Sequence, residues 1–179
     1  IVFLIFVTAL SILAYQQKET EEKVNSQLRN QLFQNHLTSA QVAIKDGAYE
    51  KAQSEYELAL RYVQEDSQMD SVQIQGKIAN VQQFAQWVRK GDTAFTRQNY
   101  RTAIEAFTQA QRFQIDPKMV ANRIETINSK AAEALEDYID RARAFQKIER
   151  YALARKWYER VLEIDPNNQY ALKGLRQLR

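Results

Sequence analysis

The sequence predicts an all-α chain, a solenoid of helical hairpins preceded by a transmembrane helix. Three observations predict it. Four Gly and two Pro in 179 residues are too few for the many turns of a β-sandwich or barrel. The chain matches itself at a displacement of 51 positions, column after column. Its first fifteen residues carry no charge.

The uncharged start comes first. Residues 1–15 span about 22 Å as a helix, against a hydrocarbon core of about 30 Å. The chain opens on Ile rather than Met, so residues upstream are expected to complete the span. Ile1, Phe3, Leu4, Phe6, Leu10 and Leu13 would face lipid, and Tyr15 suits the interface. A signal peptide is the second reading, but Ile12 spoils a small-residue cleavage site ending at Ala14. A buried core helix is the third. Downstream, only Lys18 and Lys23 are basic before Arg29, a weak cytoplasmic signal. The rest of the chain is expected to face outward, into a periplasm in a bacterium.

The self-match follows. Phe33, Phe84 and Leu135 fall in one column, then His36, Trp87 and Tyr138, then Leu37, Val88 and Ile139. Small residues come next: Ala40, Gly91 and Ala142. After a break, Tyr49, Tyr100 and Tyr151 align, followed by Ala52, Ala103 and Ala154. Tyr56, Phe107 and Tyr158 align next, then Ala59, Ala110 and Val161. Within each unit the steps of three and four trace one helix face before the break and another after it. The breaks, Asp46-Gly47-Ala48, Arg97-Gln98-Asn99 and Glu149-Arg150, suit helix ends, where Gly and Asn favour the left-handed turn. Each unit is thus an αα-hairpin whose apolar stripes need a neighbour, so the units must stack.

These columns resemble the tetratricopeptide repeat. The third unit carries Tyr138, Ala142, Tyr151, Ala154 and Tyr158, closing on Asp165-Pro166. The second carries Trp87, Gly91, Tyr100, Ala103, Phe107 and Ala110, closing on Asp116-Pro117. The first carries Ala40, Tyr49, Ala52, Tyr56 and Ala59, with His36 in the aromatic column and no closing Pro. The resemblance covers 33–66, 84–117 and 135–168. The family repeats at about 34 residues, so 17 extra residues precede each unit. Apolar residues there (Met69, Val72, Ile78 and Val81, then Val120, Ile124, Ile127 and Ala131) predict backward extension of each first helix, with a separate short helix as the alternative. Three units, 16–66, 67–117 and 118–168, then follow the span, and 169–179 forms a terminal helix.

Charge is uneven. Residues 16–71 hold six basic and ten acidic groups, whereas 72–179 hold nineteen and twelve. No basic run interleaved with aromatics occurs, so nucleic acid is not an expected partner. With one His and no Cys, no metal site, cofactor site or catalytic residue is expected. His36 occupies a packing column. Asp116 and Asp165 precede prolines at expected helix ends and read as turn residues. Glu136, Asp137 and Asp140 lie beside Arg141 and Arg143, a salted surface.

The resemblance implies a partner-binding inner face that includes Gln41, Lys45, Arg89, Asp92, Phe95, Arg143 and Lys147. Some family members grip a terminal carboxylate with a Lys-Asn-Asn-Lys-Arg set. The corresponding Leu37, Gln41, Arg89, Glu136 and Asp140 do not reproduce it. The expected work is non-enzymatic: scaffolding of a membrane protein complex, anchored in the bilayer through 1–15. Two alternatives stand beside it. One is the sensory half of a larger membrane signalling protein with an upstream catalytic domain. The other is a homo-oligomeric structural ring.

Overall fold

The computed structural model describes the backbone of residues 2–63 and 68–178, and the side chains of 10–63 and 70–178. The described residues form seven helices and no strand: α1 (Val2–Lys45), α2 (Tyr49–Arg61), α3 (Gln68–Thr96), α4 (Tyr100–Gln111), α5 (Pro117–Lys147), α6 (Tyr151–Ile164) and α7 (Gln169–Gln177). Long and short helices alternate as far as α6. The chain divides into two compact units, Ile1–Gln82 and Gln83–Arg179.

In the first unit, α1 contains neither Gly nor Pro, and past Tyr15 it is rich in Gln, Glu, Lys and Leu, strong helix formers. Its polar stretch is laced by i,i+4 pairs: Gln17 with Glu21 at 3.3 Å, Lys23 with Glu19 at 2.6 Å and Lys18 with Glu22 at 3.8 Å. Every residue from Leu10 to Gln31 is exposed. Only the last turns of α1 pack against α2, burying Ala40, Ala43, Tyr49, Ala52, Tyr56 and Ala59. Ile74 and Val81 of α3 are buried as well.

Among the described residues no helix is long and apolar enough to cross a membrane. From Val2 the uncharged stretch runs without interruption into the polar part of α1. Ile1 lies outside the described residues, as do the side chains of Phe3, Leu4 and Phe6. Leu10, Leu13 and Tyr15 are exposed. Val72 also departs from expectation. It is 68% exposed, and Ile74 is buried in its place. The reason is phase: Ile74, Ile78, Val81 and Phe84 step by four, three and three, and Val72 lies two residues off that stripe.

All three first helices end in the same way. Ala48, Asn99 and Arg150 donate their N–H to the carbonyls of Ala43, Ala94 and Phe145. Gly47, Gln98 and Glu149 donate to Ile44, Phe95 and Gln146. This is the Schellman pattern, and its left-handed residue is Gly47 (φ 72°), Gln98 (φ 58°) or Glu149 (φ 60°). The sequence favours Asn99 for that role, yet Asn99 caps α4 instead, accepting from the Thr102 N–H at 3.4 Å. A left-handed non-glycine costs about 1–2 kcal/mol. Gln98→Gly and Glu149→Gly are therefore each expected to raise stability by about 1 kcal/mol, net of the entropy of the freer unfolded chain. Chemical denaturation followed by circular dichroism checks this.

Asp116 opens α5 rather than closing α4. Its carboxylate accepts from the Met119 N–H at 3.0 Å, and Pro117 occupies the first helical turn, where its missing N–H costs nothing. Asp165 does serve a turn, accepting from the Asn167 N–H at 3.1 Å and from the Asn168 amide at 3.2 Å.

In the second unit α5 packs against α4 and α6, and α6 against α7. The aromatic column does the filling. Phe107 is fully buried, and its ring lies where a Cβ on Gly91 would come within 2.6 Å of it. Tyr158 is buried with Ala142, Val161 and Ala171, and Tyr138, Ile139, Trp157 and Leu175 pack around them. Gly174 of α7 admits the same tyrosine ring. Arg155 donates to the Leu178 carbonyl at 3.1 Å, tying down the end of α7.

Candidate functional site

Three recesses of the second unit, among the described residues, are lined by charged side chains. One, of about 1170 Å³, runs along Arg89, Lys90 and Thr93 of α3 and Arg97 of the turn that follows it. It continues past Arg101 of α4 to Arg160 and Glu163 of α6. Much of its charge is already balanced. Arg160 pairs with Glu163 at 2.8 Å and Arg101 with Glu105 at 3.4 Å, while Lys90 lies 4.7 Å over the Trp87 ring. The second recess, about 540 Å³, lies between α5 and α6. Both of its acids are engaged: Lys130 pairs with Glu133 at 2.7 Å and Arg141 with Asp137 at 2.8 Å.

The third recess is smaller, about 380 Å³, and differs in kind. Arg143, Gln146 and Lys147 line it from α5, Tyr158 from α6, and Tyr170, Lys173, Gly174 and Gln177 from α7. Three cations and no acid line it. Arg143 Nε donates to the Tyr170 hydroxyl at 2.7 Å, and its guanidinium lies 4.4 Å from that ring's centre. The hydroxyl contact is the main cause that pushes the Arg143 pKa above its usual value. Tyr158 donates its hydroxyl to Gln146 Oε1 at 2.9 Å. Burial pushes the Tyr158 pKa up, because a phenolate there would lose its water.

Of the seven residues expected on a partner face, five lie in the second unit and two in the first. Arg143 and Lys147 share the third recess, and Arg89 lines the first. Asp92 pairs with Arg123 at 3.7 Å, and Phe95 meets Tyr100 edge-on at 6.2 Å. Gln41 and Lys45 lie exposed on α1, in the other unit. Tyr170, Lys173 and Gln146 complete the third recess and were not singled out from the sequence. The signal for them is the i,i+4 pair Arg143–Lys147 on one helix, facing a Tyr170–Lys173–Gln177 stripe on the next.

His36 is half-buried. Its ring stacks on Tyr62 (5.6 Å between centroids, 7° between planes), and Nδ1 lies 2.8 Å from Glu55 Oε2. Among the described residues no cluster of three or more His, Cys, Asp and Glu side chains is placed to hold a metal ion.

Residues 135–168, the C-terminal part of α5 and all of α6, match the family model of the tetratricopeptide repeat. This segment is a tetratricopeptide-like repeat. No curated protein and no solved structure matches the chain. Tetratricopeptide repeats act in general as protein-interaction modules, which makes a scaffold the coarse reading of the chain. The repeat supplies half of the third recess directly: Arg143, Gln146, Lys147 and Tyr158 all lie inside it.

Proposed function

We propose that the chain is a scaffold that holds partner proteins at a membrane complex. The observation that carries this reading is the tetratricopeptide-like hairpin of α5 and α6, whose first helix presents exposed Arg143 and Lys147 beside a shaped recess. Stacked helices offer a surface already in its binding shape, so little ordering entropy is lost on association. The finer part of the proposal is the anchor. Residues 1–15 carry no charge, and Leu10, Ile12, Leu13 and Tyr15 are all more than half exposed on α1. A bilayer is the environment that would cover them. Only Lys18 and Lys23 are nearby bases, a weak cytoplasmic signal that favours the repeats facing the outer side of that membrane.

Both parts are open to test with the full chain. Purification in mild detergent with mass spectrometry should recover the same protein partner in independent preparations. A lone species at an integer multiple of its own mass would replace the scaffold by a self-assembled ring. Alkaline carbonate washing should leave the chain in the membrane pellet, and release into the supernatant would remove the anchor from the proposal.

A further inference from the structure

The recess at the end of α5 is rich in free donors and poor in acceptors. Arg143 and Lys147 lie one turn apart on α5, and Lys173 approaches from α7. Neither Lys147 nor Lys173 has an ion-pair partner among the described residues. The Tyr158 hydroxyl occupies the Gln146 carbonyl oxygen, which leaves that amide's two N–H groups to donate elsewhere. The Tyr170 hydroxyl oxygen already accepts from Arg143 Nε, whose Nη1 reaches Asp140 at 3.4 Å. The Arg143–Tyr170 contact joins α5 to α7 and fixes the guanidinium at the rim.

We propose that this recess binds a carboxylate side chain from an acidic, Asp- or Glu-bearing segment of a partner protein. Two ammonium groups, one amide and the remaining guanidinium N–H groups then meet two carboxylate oxygens, the charge-assisted bonds such a donor set forms. A volume of about 380 Å³ suits one or two side chains rather than a folded surface. The excess of bases across 72–179 draws the same class of segment from a distance. Asp140, at a position where the family's carboxylate clamp has a base, pairs with Arg143 at 3.4 Å beside the recess, so that clamp is not reproduced here. The inference rests on the protein-contact reading above and names the chemistry of the contact.

The test uses the full chain and two fluorescein-labelled dodecapeptides, one of Glu, Ser and Gly, the other with each Glu replaced by Gln. Fluorescence anisotropy should show saturable binding of the acidic peptide, weakened by added salt, and much weaker binding of the neutral one. Lys147→Glu combined with Lys173→Glu should lower affinity for the acidic peptide about tenfold, as two surface ion pairs turned into repulsions would, with helicity and melting unchanged. Equal binding of the two peptides, or acidic binding indifferent to the double change, overturns the site. So does capture by phosphatidylserine vesicles without peptide binding, or self-association that the double change abolishes. A natural partner that still co-purifies with the double variant would leave the scaffold reading standing and remove this site from it.

Discussion

Tyr158→Ala is expected to destabilise the second unit by about 3–5 kcal/mol, the usual cost of deleting a large buried ring. The side chain is 2% exposed and sits among Ala142, Val161 and Ala171. These neighbours are too small to fill the void. Gly174 makes the loss worse, because α7 approaches closely only with the tyrosine ring as its floor. The ring and the hydroxyl separate cleanly. Tyr158→Phe keeps the packing and gives up one hydrogen bond to Gln146, a change of about 1 kcal/mol. Trp157 packs on the same cluster, so its fluorescence through a urea titration reports both variants. A shift for the alanine variant no larger than for the phenylalanine one would show that this ring does not hold α6 and α7 together.

The hairpins were legible because their packing relies on small residues in fixed columns. Ala52, Ala103 and Ala154 are all fully buried; an alanine repeated at one register marks where two helices meet, and no other arrangement of so small a side chain explains its recurrence. The left-handed helix ends were less legible. Gly47 signals one plainly, but Gln98 and Glu149 adopt the same backbone without the usual residue. Two hydrogen bonds per turn override a local preference worth about 1–2 kcal/mol. Val72 was misplaced because a short apolar segment without a turn signal fits more than one helical phase.

The candidate site shows a similar division. Arg143 and Lys147 could be read from the repeat register, since a first-helix position is fixed once the columns are aligned. Lys173 and Tyr170 could not. Their place depends on α7 folding back against α6, and that depends on a glycine at 174 opposite the Tyr158 ring. Sequence periodicity encodes contacts within a helix pair well. It encodes the approach of an irregular terminal helix only through single residues whose role appears when the partner is known.

Gly91 tests whether a small residue and its aromatic act as one contact. Alanine in place of glycine inside a helix ordinarily gains about 1 kcal/mol. At Gly91 a Cβ would lie 2.6, 2.7 and 3.0 Å from three atoms of the Phe107 ring. That ring is fully buried, with Ala103, Ala106 and Ala110 on the same helix also buried, so it has little freedom to move aside. Overpacking of this kind costs about 1–3 kcal/mol, and against so fixed a ring it is expected to win: Gly91→Ala should destabilise by up to about 2 kcal/mol net of the helix gain. Phe107→Leu alone should also destabilise, since it opens a void. The double variant should lose less than the sum, because the smaller side chain receives the new methyl, giving a coupling of about 1 kcal/mol or more. Four denaturation curves complete the cycle. Strict additivity would mean that the ring does not set the approach of α3 to α4, and that the glycine serves its column for another reason.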